Sequence, residues 1–169
     1  MPLFFGMADE TCRKAVVANL IRSVNANNKA LTAGDIGYRY LLRVLEQEGQ
    51  SQLIYEMNSK TDVPGYGYQL SKGATSLTES WAALKYVSNN HMMLGHLMEW
   101  FYSGLGGIYQ TDNSVAYNNI VIAPKPVGNI KWVNCSFDTS RGIISSGWKI
   151  EGDTFFLNIE VPGGAIAII

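Results

Sequence analysis

Apolar positions recur along this chain at two different periods, and the change falls about two thirds of the way along. After Asp9, a good N-cap, the residues Cys12, Val16, Val17, Leu20, Ile21 and Val24 repeat at helical spacing. This predicts an opening helix with Arg13, Lys14 and Arg22 on its solvent face. Tyr38, Leu41, Leu42 and Leu45 predict a second helix, which Gly49 can end as a left-handed cap. Leu53, Ile54 and Met57 give a shorter third. The stretch from Ser59 to Thr75, with its Pro, Gly and Tyr residues, reads as a long loop too broken for a helix, and loops of that length tend to be functional. Trp81 and Leu84 predict the start of a fourth helix. Leu94, Leu97, Met98, Phe101 and Leu105 make the strongest stripe, closed by Gly104, Gly106 and Gly107.

Beyond Tyr109 the period drops from 3.6 to 2. Phe155, Leu157, Ile159 and Val161 alternate with Phe156, Asn158 and Glu160, the pattern of a half-buried strand. Ile144, Ser146, Trp148 and Ile150 predict another, joined to it by a hairpin through Glu151-Gly152-Asp153. Residues 130–137, 119–123 and 165–169 complete about five strands. The predicted class is α+β: helices over residues 1–110, then an antiparallel sheet or sandwich over 111–169. The boundary falls in the polar stretch at 109–118.

Composition narrows the function classes. The 169 residues are 47% hydrophobic and 16% charged, as expected of a chain that builds a core. A net charge of -1 gives no electrostatic footprint for nucleic acid or an anionic membrane. No segment approaches the ~18 apolar residues of a membrane span. Leu3-Phe4-Phe5 lacks the basic lead of a secretion signal, so the chain as written is expected to stay in the cytoplasm. Cys12 and Cys135 stand far apart, form neither a disulfide framework nor a zinc site, and are expected to be buried free thiols. Two histidines give no metal-ligand spacing, and no cofactor motif is present.

Candidate chemistry concentrates between residues 64 and 91. The segment from Gly73 to Trp81 sets Glu79 between a glycine-led turn and a tryptophan, and Asn89-Asn90-His91 follows at the opening of the next predicted helix. Tyr66, Tyr68 and Trp81 are candidate rings for stacking on a sugar face, and Asp35 follows Gly34 in a loop that can face the same cleft. A carboxylate, an imidazole and aromatic rings are the parts of a sugar-processing site. Each has a structural alternative. Ser76-x-x-Glu79 fits a capping box, and on spacing alone that role is the better supported. Asp35 can serve as a helix cap, the rings can be ordinary core, and His91 can face solvent in a first helical turn.

These segments, read together, resemble a bacterial α-L-rhamnosidase. Residues 73–81 are similar to the family's Gly-Ala-Thr-Thr-x-Trp-Glu segment, Asn90-His91 to its Asn-His pair, and Glu99-Trp100-Phe101-Tyr102 to its Glu-Trp-Phe/Leu-Tyr. Leu31-Thr32-Ala33-Gly34, Tyr40-Leu41-Leu42, Gly107-Ile108, Ile120-Val121-Ile122-Ala123-Pro124 and Phe137-Asp138-Thr139-Ser140-Arg141-Gly142 extend the resemblance over nearly the whole chain. Thr78 stands where the family often has Trp, and Ser80 where it often has Arg.

The resemblance implies the end of an (α/α)6-type barrel followed by a β-sandwich, with Met1-Pro2-Leu3 beginning inside the barrel. It implies inverting hydrolysis of terminal α-L-rhamnose from a rhamnose-containing glycoside, with Glu79 as the general base and His91 as a ligand to a sugar hydroxyl. Inversion needs a second carboxyl group. The family's acidic Asp-x-x-x-x-Glu-Arg-type segment has no match here, and Asp35, Asp62 and Glu99 are the local acidic residues. A C-terminal portion lacking the general acid is therefore expected, and the alternative is a non-catalytic carbohydrate-binding or structural fragment. A partial toroid would leave the stripes Val16-Leu20-Val24 and Leu41-Leu42-Leu45 uncovered, so self-association through an open helical face is also expected.

Overall fold

The computed structural model describes residues 2–169; Met1 lies outside the described residues. Two compact units follow one another, Met1–Leu97 and Met98–Ile169.

The first unit is helical where the apolar periodicity is unbroken. α1 (Glu10–Ala26) starts at Asp9, whose carboxylate accepts the Thr11 N–H at 2.8 Å and is thereby held below the usual carboxylate range. α2 (Asp35–Gln47) buries Tyr38, Leu42, Val44 and Leu45, and α3 (Ser51–Ser59) buries Leu53, Ile54 and Met57. Gly49, at φ 70°, ends α2 as expected: Gln50 N–H reaches Leu45 O, and Gly49 N–H reaches Glu46 O. Val17 of α1 and Val44 of α2 pack with Leu3 in one small core cluster. Arg13 is not the solvent-face residue the pattern predicts. It is half-buried and pairs with Glu48 at 2.6 Å, tying α1 to the end of α2.

Three predicted features of this unit change. The loop from Ser59 to Thr75 contains a short helix, α4 (Tyr66–Ser71), capped by Gly73 at φ 83°. No helix starts at Trp81 and Leu84. The chain from Thr75 to His91 is irregular, reaching a 3-10 turn only at Met92–Leu94. Cys12, expected to be buried, is exposed on α1.

The second unit opens with α5 (Leu97–Trp100), which begins one residue earlier and runs on as a π-helical turn over Phe101–Leu105. Two three-stranded sheets follow. One has the order β1 (Ile108–Gln110), β2 (Asn119–Ile122) and β6 (Ile166–Ile168); β1 escaped the pattern reading, and β2 pairs with β6 in parallel rather than antiparallel fashion. The other is an antiparallel meander of β3 (Trp132–Thr139), β4 (Gly142–Glu151) and β5 (Thr154–Glu160). Its second hairpin turns through Gly152-Asp153, between the paired Glu151 and Thr154, as the sequence predicts. Ile108, Ile120, Ile122 and Ile144 form the core of this unit. The Trp148 indole donates to Leu105 O at 2.7 Å. β5 is an edge strand with only Leu157 half-buried, so its alternation does not mark a buried face. Among the described residues no helix is long and apolar enough to cross a membrane.

Candidate active site

The candidate residues of the first unit lie on and around the irregular segment from Thr75 to His91. Gly73 ends α4 and turns the chain; Ala74 N–H returns to Gln69 O. The segment then closes on itself through main-chain bonds, Glu79 N–H to Ser88 O at 2.9 Å and His91 N–H to Leu77 O at 2.8 Å. The Ser76 hydroxyl donates to Asn89 O across the same gap. Glu79 and His91 thus sit on two irregular stretches tied together by main-chain hydrogen bonds.

Glu79 is exposed. With no helix beginning at Ser76, the capping box does not form. The carboxylate instead accepts the Ser88 N–H through Oε2 at 3.0 Å. A carboxylate has about four lone-pair sites, so this one bond orients the group and leaves most of its acceptor capacity open. His91 is half-exposed and precedes the 3-10 turn.

The residues flanking Glu79 are held from below. Thr78 is buried, and its hydroxyl donates to Ser80 O at 2.6 Å. The carboxamide of Gln69, also buried, donates to the same Ser80 O at 3.3 Å. A buried Gln inside a stretch read as loop carried no periodic signal, so sequence reasoning passed over it.

Trp81 is core rather than a free stacking surface. It is 8% exposed, and its indole N–H donates to Ala33 O at 2.7 Å. Its ring meets Tyr66 at 5.3 Å and Tyr38 at 4.8 Å between centroids, both edge-on. Tyr66 is half-buried, its hydroxyl donates to Leu94 O, and burial pushes its pKa up to about 12. Tyr38, fully buried with its hydroxyl on Asn58 Oδ1 at 2.7 Å, is the centre of this aromatic group. Its place in the apolar stripe of α2 carries no local sign of that role. Burial raises the Tyr38 pKa further still.

The remaining candidates separate. Tyr68 lies on α4 with the Lys72 ammonium 4.9 Å from its ring centroid. Asp35 is in the first turn of α2 and accepts the neighbouring Ile36 N–H, while Gly34 occupies the cap position. Asp62 is exposed, and its hydrogen bond with Lys60 holds it below the usual carboxylate range. Glu99 belongs to the second unit. Among the described residues no group of three or more His, Cys, Asp or Glu is placed to hold a metal ion.

Comparison with known proteins accounts for both parts of the sequence. Residues 1–105 match the model of the bacterial alpha-L-rhamnosidase 6 hairpin glycosidase domain, and residues 107–169 match that of the bacterial alpha-L-rhamnosidase C-terminal domain. An alpha-L-rhamnosidase of Streptomyces avermitilis is 27% identical over 176 residues, covering 99% of this chain and 17% of the relative. One from Formosa agariphila is 27% identical over 178 residues, covering 100% of this chain and 19% of the relative. The solved structure of the Streptomyces avermitilis enzyme complexed with L-rhamnose superposes with a TM-score of 0.91 at 27% identity, over 98% of this chain and 17% of that one. The Aspergillus terreus enzyme superposes with a TM-score of 0.90 at 25% identity, over 98% and 20% respectively. The chain spans less than a fifth of the length of the curated relatives it matches, 17% and 19%. With both of its parts matched, the chain belongs to the bacterial alpha-L-rhamnosidase family.

Proposed function

We propose that this chain is the C-terminal portion of an inverting α-L-rhamnosidase in which Glu79 is the general base and His91 holds a sugar hydroxyl. The observation that carries this reading is the environment of Glu79: an exposed carboxylate, oriented by one main-chain N–H, on a loop closed against the His91 segment. A base that takes a proton from water needs open acceptor sites and a fixed direction, and this group has both. The substrate would be a rhamnose-containing glycoside, in keeping with the relative solved with L-rhamnose.

The general acid is assigned to a residue other than the local carboxylates. A proton donor to a leaving group works with a raised pKa, whereas Asp62 is lowered by its hydrogen bond with Lys60. A domain boundary near residue 110 is part of the same proposal, supported by the change of apolar period in the polar stretch at 109–118. In the isolated chain the apolar groove of about 390 Å³ between α1 and α2, bordered by Val16, Leu20, Val24 and Leu41, is the proposed self-association surface.

The test is Glu79→Gln in a complete enzyme of this sequence, assayed on an aryl α-L-rhamnoside with the anomer of the released sugar followed by NMR. The expected result is loss of turnover with the fold unchanged, and a wild-type product of inverted configuration. Unimpaired hydrolysis by the variant removes Glu79 from the mechanism, and a retained configuration overturns the inverting assignment.

A further inference from the structure

The outer face of the β3–β4–β5 sheet holds a groove of about 440 Å³. Strand register builds it. Trp132, Lys149 and Phe156 are directly cross-strand neighbours in one row, and Asn134, Gly147 and Asn158 form the next. Gly147 has no side chain, so the middle of the second row is a depression with a carboxamide on either side. Trp132 is 66% exposed and Phe156 44%, and the two are separated by two strand spacings, about 10 Å.

Nothing in the fold demands glycine at 147. Its backbone is not in the left-handed region. A Cβ there would meet Asn134 Oδ1 at 2.9 Å, the far end of a flexible exposed side chain that can move aside. Glycine in the interior of a central strand weakens that strand, and it often marks a place where another molecule approaches the backbone. Lys149, the one formally charged lining residue, pairs with Glu151 at 2.8 Å and holds its ammonium 5.1 Å from the Phe156 ring centroid.

We infer that this groove binds a neutral oligosaccharide, with Trp132 lying against a sugar C–H face and Asn134 and Asn158 bonding the hydroxyls. A pyranose ring has apolar faces and hydroxyl edges that both donate and accept. Aromatic rings match the first, and carboxamides, which offer a donor and an acceptor together, match the second. With Lys149 engaged by Glu151 and by the Phe156 ring, the exposed indole and the two carboxamides suit an uncharged polyol. The site lies on strands of the second unit and is independent of Glu79 and His91.

The experiment is an NMR titration of the 169-residue chain with rhamnose-terminated, xylo- and gluco-oligosaccharides, and with an acidic oligogalacturonide. At least one neutral sugar is expected to give saturable shifts at the Trp132 indole and the Asn134 and Asn158 side-chain amides. Trp132→Ala and Gly147→Val should each weaken that binding about tenfold or more, as loss of a central contact does. Trp132 is exposed, so the first variant keeps the fold, and Glu79→Gln should leave these shifts unchanged. The inference is overturned if no neutral sugar shifts these signals, or if only the oligogalacturonide does. It is equally overturned if the shifts survive both substitutions, or if Trp132→Ala abolishes a concentration-dependent dimer while sugars have no effect.

Discussion

Trp81 shows how one residue type admits two tasks. Aromatics beside a carboxylate point to sugar stacking, but the fold spends this indole on the core, with its N–H fixed to Ala33 O. Trp81→Phe keeps a ring and removes that donor. A stability loss of about 1–3 kcal/mol in urea unfolding is expected, since an acceptor loses its partner; a ring that served only to stack on sugar would leave stability unmoved. The tyrosines beside it make a pH prediction. Tyr66 is raised from 10.0 to about 12, and Tyr38 is also raised, both chiefly by burial. A raised folded-state pKa contributes stability that is fully present below the unfolded value and is lost as pH rises through the folded one. The first unit should therefore weaken between pH 10 and about 12, with tyrosinate absorbance and helical circular dichroism changing together. Ionisation of every tyrosine near pH 10 with the helices intact would contradict it.

At the scale of elements, α4 decides where Glu79 stands. The helix lies against the end of α3 only because Gly67 has no side chain: a Cβ there would come within 2.5 Å of Lys60 O and 2.7 Å of Ser59 O. Both are main-chain atoms and cannot swing away. Gly67→Ala should cost about 1–3 kcal/mol, as overpacking does, and should speed hydrogen exchange over residues 66–80 more than over α1. Equal protection in both variants would mean that α4 is not what steadies the loop. The same contacts explain the failed helix at Trp81. Leu77, Trp81 and Leu84 have helical spacing, yet Gln69 and the Ser88–His91 stretch take main-chain bonds a helix would need, and Ala33 O anchors the Trp81 indole. Long-range partners outcompete a local propensity worth only tenths of a kcal/mol per residue. The stripe predicted from Leu94 to Leu105 is only partly kept. Leu94, Leu97 and Leu105 are buried, Met98 and Phe101 are exposed, and the winding breaks into a 3-10 turn, α5 and a π turn.

For the whole molecule, two outcomes are expected of the isolated chain. On an aryl α-L-rhamnoside its turnover should fall short of a complete relative by at least the 10²–10⁴-fold that general acid catalysis typically contributes. Comparable turnover would return the acid to one of the local carboxylates. The groove between α1 and α2, with Val16 at 39% exposure on its rim, should drive concentration-dependent association. Sedimentation over a dilution series reads this directly, and a monomer at every concentration would contradict it.

The family, the helix-then-strand order, the caps at Asp9 and Gly49, and the β4–β5 hairpin are legible in the chain before it folds. Each is set by local chemistry: a side-chain acceptor at a cap, a left-handed turn residue, or apolar spacing that no other backbone can use. The identity of Glu79 as a candidate was equally legible, because its neighbours in the chain carry the resemblance. Tertiary structure alone decided the rest. Whether Glu79 capped a helix or stood free depended on Ser88, nine residues away, and on the buried Gln69 beneath it. Whether Trp81 faced sugar or core depended on Ala33, and the groove beside Trp132 exists only once three strands fall into register. Such partners are distant in sequence, and no local pattern records which of them will meet.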